Sequence, residues 1–383
     1  MPDVPQTRIT DVNVVVVGGG TAGLSIAGAL KHDGIDSIIL DAHADVGDVW
    51  RNRYDRLHLH TMRAFSGLAY FPIARTYPRY LSRDQFVQYL QDYVHHFNLQ
   101  VTTGCSVSSI RPDNGHWLIE SSRGTWRANV VVVATGQYSV PLTPSYEGRN
   151  EYRGQLLHSV QYKSGQAFAG QRALVIGSGN SGTEIAVDLV EQGAAFVANS
   201  IRTPPPIVPR EFLGTPVQLF GIAMSPLPAR IADRLGAFIA RRATGDLTEF
   251  GVRPAVWQPF TSHKVPIIDV GWLPAVKARR IHLREDITRL TSSGVEYQNG
   301  TNEAFDVIVS ATGFTTGLSA LIDAPGLIDA RGYPRYRSGF PTNQQGLYFM
   351  GYTESTRGHL FEANRDSKRL ATRIKKSVPN RLG

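Results

Sequence analysis

The sequence predicts an α/β protein with two Rossmann-like dinucleotide-binding domains, and three observations predict it. A run of valines, Val14–Val17, leads into a glycine turn and then a helical stretch. The same order of strand, glycine turn and helix returns in the second half of the chain. Each copy is followed further on by an apolar strand that ends in Ala-Thr-Gly. Repetition at this scale outranks local propensity as a guide to architecture.

Val14–Gly18 is apolar at every position, as a parallel strand buried on both faces must be. Gly18-Gly19-Gly20-Thr21-Ala22-Gly23 is the turn, Leu24–Lys31 the helix, and Ser37–Leu40 the next strand, ending at Asp41. In the second copy Ala173–Ile176 is the strand and Gly177-Ser178-Gly179-Asn180-Ser181-Gly182 the turn. Thr183–Gln192 is its helix and Ala195–Ser200 its second strand, with Arg202 just beyond. The later strands are Val130–Val133, entering Ala134-Thr135-Gly136, and Val307–Ser310, entering Ala311-Thr312-Gly313. One more strand, Gly346–Gly351, and a helix over Glu362–Lys376 need a sheet to join. The economical solution returns them to the first domain. The predicted organisation is a first domain over 1–165, an inserted second domain over 166–313, and a return segment over 314–383. This is the layout of glutathione-reductase-like proteins. Pro204-Pro205-Pro206 and Pro226–Arg242 belong to neither core. The latter has helical spacing (Ile231, Leu235, Phe238, Ile239) and is expected to pack over the active site, a membrane-surface helix being the alternative.

The turns carry the chemistry. Gly18 permits the tight bend, Gly20 lets backbone approach a pyrophosphate, and Gly23 lets the helix sit close to its strand. The helix N-terminus around Thr21 and Ala22 offers free N–H groups and partial positive charge to phosphates. Asp41 stands where a carboxylate accepts hydrogen bonds from ribose hydroxyls. In the second copy Gly177, Gly179, Asn180, Ser181 and Gly182 repeat the cradle, but no acid ends the second strand. Ser200-Ile201-Arg202 stands there instead, and an arginine can bind the 2′-phosphate that a carboxylate would repel. The second site therefore favours NADPH. Two dinucleotides in one chain imply an electron relay, and FAD at the first site is the partner able to accept a hydride and pass electrons on, to O2 among others.

Composition narrows the class. Cys105 is the single cysteine, so no CxxC redox pair exists and disulfide reductases are set aside. The net charge is +8 and the pI near 9.6, but the cations are scattered, which gives no nucleic-acid face. A positive field would also draw in an anionic cofactor. No apolar stretch is long enough for an integral membrane segment, and MPDVPQTRITD lacks the apolar core of a signal peptide, so a cytoplasmic location is expected.

Between the two motifs lies Tyr152-Arg153-Gly154-Gln155-Leu156-Leu157-His158-Ser159-Val160-Gln161-Tyr162, which resembles the fingerprint of class B flavin-containing monooxygenases, with Tyr152 in place of the leading Phe. Gly47–Arg51, Tyr54–Thr61, Gly179–Gly182 and Ala311–Phe314 match further family stretches, and Phe250-Gly251-Val252 and Pro266–Gly271 are similar to the YUCCA-type branch. The resemblance implies that NADPH reduces FAD, that reduced FAD adds O2 to form a C4a-hydroperoxyflavin, and that one oxygen atom enters a small organic substrate by N-, S- or carbonyl oxygenation. Indole-3-pyruvate-like decarboxylative oxidation is among the possibilities. The alternative is an NADPH-dependent flavin reductase or NADPH oxidase that makes no oxygenated product.

The resemblance also extends the site. Val49, Trp50, Arg56, Leu57 and Thr61 join the cofactor-binding residues, Val107 fits a backbone contact to adenine, and Gly351 matches the place where the return segment approaches the FAD. The acid that often follows that glycine is absent, since Tyr352 and Thr353 stand there. His60 occupies a position where many members carry Asn, and is the candidate catalytic residue. His158 is expected to hold the linker between domains. The oligomeric state, a homodimer included, is left open.

Overall fold

The computed structural model describes residues 9–377, so residues 1–8, most of the stretch MPDVPQTRITD, and residues 378–383 lie outside the described residues. The first motif forms β1 (Ile9–Val17), α1 (Thr21–His32) and β2 (Ile38–Leu40). Further along come α2 (Arg83–Phe97), β3 (Gln100–Thr102), β4 (Val107–Asp113), β5 (His116–Ser121) and β6 (Gly124–Val133). The sheet runs β3-β2-β1-β6-β5-β4. β1 is parallel to both β2 and β6, whereas β4–β5–β6 is an antiparallel meander. The valines of β1 explain the parallel part. Val14 and Val16 enter the core under α1 and α2, and Val15 and Val17 enter the core on the opposite face. All four are at most 2% exposed.

A short strand, β7 (Val140–Pro141), leads away from this sheet, and β8 (Gln155–His158), β9 (Arg172–Ile176), α3 (Asn180–Glu191) and β10 (Phe196–Ser200) begin a second one. Beyond them come α4 (Val217–Met224), α5 (Ala229–Thr244), β11 (His282–Arg284), β12 (Val307–Ser310) and β13 (Phe314–Thr315). The second sheet is wholly parallel, ordered β11-β10-β9-β12-β8. Its central strand repeats the two-faced pattern, with Ala173 and Val175 in one core and Leu174 and Ile176 in the other. β13 pairs with β7, so the exits of the two sheets meet.

The return segment behaves as its composition required. β14 (Leu347–Phe349) adds in parallel to the C-terminal half of β6, at Val131–Val133. The hairpin partner β5 covers only the N-terminal half of β6, through Ala128, and so leaves this edge open. The last helix, α6 (His359–Ser377), lies along α1.

Three expectations shift. β8 pairs with β12, so sheet membership changes before Gln155 and not at residue 165. Leu156 and Leu157 are half-buried on this edge strand and pack against the two cores of the second sheet. Both motif helices start inside their glycine turns, at Thr21 and Asn180, because Gly20 and Gly179 take extended backbone and serve as N-caps. The stretch Pro226–Arg242 is helical from Ala229 on, as α5, but Ile231, Leu235 and Phe238 are 48%, 45% and 60% exposed and do not pack over a site.

Candidate cofactor and active site

The two glycine turns have the same stereochemistry. Gly18 (φ +106°) and Gly177 (φ +128°) lie in backbone that L side chains rarely adopt. A Cβ on Gly18 would stand 2.5 Å from the Ala134 carbonyl oxygen, and one on Gly177 would overlap that of Ala311. Each turn is therefore closed by the alanine of its own Ala-Thr-Gly. Gly23 and Gly182 lie within the first helical turn, where a Cβ would strike the carbonyl oxygen of Gly18 or Gly177. Gly20 and Gly179 differ, because nothing lies within 4 Å of the Cβ position of either. No side chain among the described residues caps α1 or α3, although the first turn of α1 (Thr21, Ala22, Gly23) is buried. Uncapped, inward N–H groups facing open space fit an anionic pyrophosphate.

What surrounds each turn separates them. Asp41 accepts from the His43 backbone N–H and ring Nδ1, both at 2.9 Å, through one oxygen. That contact raises the His43 pKa, chiefly through the hydrogen bond. The other oxygen faces Gly19 with no hydrogen-bond partner among the described residues. It is free to accept from a sugar hydroxyl. Val107 opens β4 opposite Ser121, and Cys105, nearby, donates its N–H to the Asp41 carbonyl at 2.7 Å. At the second turn Arg202 is exposed just past β10. Ser200 is turned inward, 1% exposed, and donates to the Glu285 carbonyl at 2.6 Å, so its hydroxyl serves the sheet. Arg253, which the sequence did not single out, donates to the Ile201 and Arg202 carbonyls. It borders a cavity of about 280 Å³ lined also by Ile201, Pro204, Val252, Trp272 and Leu283.

Between the turns, loop residues of the first half meet α3 of the second. His60 Nε2 donates to Glu184 Oε1 at 2.6 Å, and Glu184 is 2% exposed. Tyr54 is buried on the same carboxylate, and burial first, then Glu184, holds its pKa well above the ordinary phenol range. Glu184 was missed because an acid inside a helix signals nothing until a partner from far along the chain faces it. Thr61 shares a hydrogen bond with Ser66 at 2.7 Å and lies against Gly358, at the start of α6. Gly351 (φ +84°) would place a Cβ 2.6 Å from that of Ala22, which brings the return segment against the first turn. The missing acid there is replaced by Tyr352, whose hydroxyl bonds Thr135 at 2.8 Å. Trp50 packs edge-on against Phe86, and Val49 is half-buried beside it. Gly136 follows Thr135 with positive φ.

Several expected cofactor residues have protein partners. Arg56 forms a two-pronged ion pair with Glu191 at 2.8 and 2.9 Å and bonds the Val270 carbonyl, and Leu57 packs into the second core. Asn180 accepts from Ile268 N–H at 2.8 Å, so it pins the Pro266–Gly271 stretch to α3. Ser181 remains half-buried at the helix start. Thr312 bonds the Leu142 carbonyl, and the Gly313 carbonyl accepts from Leu142 N–H at 3.0 Å and from His158 Nε2 at 3.2 Å. His158 Nδ1 accepts from Val160 N–H, so the ring is a neutral tautomer, and burial lowers its pKa. The fingerprint is thus a set of fasteners. Tyr152 bonds the Phe305 carbonyl at 2.9 Å, and Tyr162 bonds Asp188 of α3 at 2.7 Å. Beside it, Arg53 lies with its guanidinium 4.9 Å from the Phe314 ring centre and bonds no carboxylate among the described residues. It too was missed by sequence, and burial lowers its pKa.

Comparison with known proteins gives this geometry its family. The pyridine nucleotide-disulphide oxidoreductase family model matches residues 15–204. The indole-3-pyruvate monooxygenase YUCCA6 of Arabidopsis thaliana is 35% identical, over 94% of this chain and 90% of its own length. The chain belongs to the YUCCA-type flavin-containing monooxygenases. A rice relative, indole-3-pyruvate monooxygenase YUCCA1 of Oryza sativa, is 34% identical over 89% of this chain and 86% of its own. A solved flavin-containing monooxygenase from Stenotrophomonas maltophilia is 23% identical. It superposes with a TM-score of 0.73 over 96% of this chain and 99% of its own. A steroid monooxygenase bound to NADP superposes with a TM-score of 0.76 at 20% identity, over 96% of this chain and 85% of its own. Those two establish the flavoprotein monooxygenase fold. As a member of the family, the chain is an FAD- and NADPH-dependent monooxygenase. No described helix is long and apolar enough to cross a membrane.

Proposed function

We propose that this chain oxygenates a small 2-oxo acid with an aromatic side chain, releasing its carboxylate as CO2, in the cytoplasm. Indole-3-pyruvate, the substrate for which these relatives are named, is of this class. The reaction balances as 2-oxo acid, O2, NADPH and a proton giving the acid one carbon shorter, CO2, NADP+ and water. Arg53 is the observation that carries the substrate class. A half-buried guanidinium with no carboxylate of its own, held over Phe314, is suited to a substrate carboxylate.

In this reading residues 1–165 and 314–383 hold FAD and residues 166–313 hold NADPH, with the strand at 155–158 belonging to the second unit. Gly18, Gly20, Thr21, Ala22 and Gly23 cradle the FAD pyrophosphate, and Asp41 takes the adenosine ribose. Trp50, Thr61, Ala134, Thr135, Gly136 and Gly351 shape the rest of that site. Gly177, Gly179, Ser181 and Gly182 cradle the NADPH pyrophosphate, and Arg202 takes the 2′-phosphate. FAD, when bound, supplies hydride acceptance and O2 activation. The chain's own contribution is position and proton management. His60 holds a proton at Nε2 against Glu184, a group from each half of the chain meeting in the middle. The partner carboxylate fixes the ring's orientation and tautomer.

The test is a panel of indole-3-pyruvate, phenylpyruvate, a thioether and a tertiary amine, offered to flavin-loaded enzyme with NADPH. The 2-oxo acids should stimulate NADPH consumption and yield the shortened acid, and Arg53→Ala should raise their KM roughly tenfold or more. Oxygenation of only the thioether or amine would remove this substrate class while leaving the family assignment intact.

A further inference from the structure

The helix α5 (Ala229–Thr244) has one face settled by packing. Asp233 accepts from the backbone N–H groups of Phe260 and Thr261 at 2.8 and 3.0 Å, and Ala232 and, at the helix end, Thr244 are also buried. The opposite face is the anomaly. Ile231, Leu235 and Phe238 stand at i, i+4 and i+7, which places them in one stripe, and each is close to half exposed or more. Leu227, 40% exposed, lies just before the helix. A continuous apolar stripe turned to solvent marks an interaction surface.

The charges beside the stripe state what it fits. Arg230, Arg234, Arg241 and Arg242 are all exposed, and none forms an ion pair among the described residues. The Arg242 guanidinium lies 5.2 Å from the Phe238 ring centre. The helix's one acid, Asp233, is on the buried face, and the next in sequence, Asp246, is turned onto Thr248. A partner must therefore be apolar at its centre and anionic at its rim. A second copy meeting this face through a two-fold axis would set four arginines against four arginines. A bilayer containing anionic lipid offers acyl chains for the stripe and phosphate-bearing headgroups for the arginines, which can extend their charged ends to the interface.

We propose that α5 seats this enzyme peripherally on anionic membranes, its apolar stripe in the headgroup–acyl boundary and its arginines on lipid phosphates. The helix is joined to the site. The preceding α4 is held by Gln218, which accepts from Met62 N–H at 3.0 Å and donates to the Arg357 carbonyl at 2.7 Å. Membrane docking therefore places the loop after His60 close to the lipid-bound element.

Vesicle co-sedimentation of the flavin-loaded enzyme tests this, using phosphatidylcholine alone and phosphatidylcholine mixed with phosphatidylserine. The enzyme should pellet with the mixed vesicles, be released by salt, and ignore the neutral ones. Leu235→Ser with Phe238→Ser should weaken partitioning at least about tenfold, and Arg234→Gln with Arg241→Gln should lose a similar factor on anionic vesicles only. Flavin content and NADPH consumption should be unchanged in both, which separates a docking defect from misfolding. Equal binding to both vesicle types, or binding to neither, would overturn the proposal. So would a wild-type dimer that the Leu235/Phe238 variant converts to monomer, since the stripe would then be an interface between copies.

Discussion

At the scale of single residues, the two proposed cofactor sites differ by one charge reversal, Asp41 against Arg202, and Arg202 has a direct test. Arg202→Ala should raise the KM for NADPH roughly 10- to 100-fold, the worth of a charge-assisted phosphate contact, and leave that for NADH nearly unchanged. Equal effects on both coenzymes would show that Arg202 does not read the 2′-phosphate. His60→Ala should lower kcat roughly a hundredfold, the low end for a positioned proton-handling group, with KM for NADPH little changed. Glu184→Gln should reproduce part of that loss, and a pH–rate profile shifted in the Glu184 variant would distinguish positioning from simple loss of packing. Asp41 and Arg202 could be singled out in the sequence because each stands at the end of a strand–turn–helix unit, and His60 because it departs from the Asn that many members of the resembling family carry. The sequence hid Glu184, Arg53 and Arg253, whose importance lies in what faces them, and facing is a property of the fold. It also drew Arg56, Asn180 and Ser200 toward the cofactors. In the structure their side chains bond Glu191, the Ile268 N–H and the Glu285 carbonyl, partners that no local motif announces.

At the scale of elements, the strand–turn–helix units were the most legible part of the chain. The buried strands β1 and β9 carry apolar residues on both faces, a pattern that periodicity recognises directly. Less legible was where one unit gave way to the next. β8 is short and lies in a stretch read as linker, and only its pairing with β12 assigns it to the second sheet. α5 was legible as a helix from its spacing, but spacing says which residues share a face and nothing about what covers that face. The glycine turns yield a paired prediction. Gly182→Ala places a methyl group 2.5 Å from the Gly177 carbonyl oxygen, and Gly23→Ala makes the same clash with Gly18. Gly182→Ala should keep a yellow, folded protein with NADPH binding weakened by at least about tenfold, whereas Gly23→Ala should lose the flavin. Titration of flavin absorbance and of NADPH-driven reduction reads the two effects separately.

For the whole molecule, stability should depend on histidines held neutral by burial. Burial lowers the pKa of His158, at the meeting of the two sheets, and of His359, at the start of α6. An unfolded histidine titrates near 6.5, so the unfolded state binds more protons than the folded one as pH falls below that value. Stability should therefore decline on acidification from pH 7 toward 5.5. His43 runs the other way, its pKa raised by Asp41, but it is substantially exposed and counts for less. A thermal-unfolding series over this range should show Tm falling with pH, and His359→Gln should flatten the slope.

In the proposed reaction, electrons drawn from NADPH at the second glycine turn end in the placing of one oxygen atom on a 2-oxo acid. The most direct measurement is turnover of flavin-loaded enzyme with NADPH and phenylpyruvate under 18O2, counting NADPH consumed, shortened acid formed and isotope incorporated. One labelled oxygen per shortened acid, with product close to one per NADPH, is the predicted result. NADPH consumed with hydrogen peroxide as the sole oxygen product, across the 2-oxo acids and the rest of the panel, would contradict it.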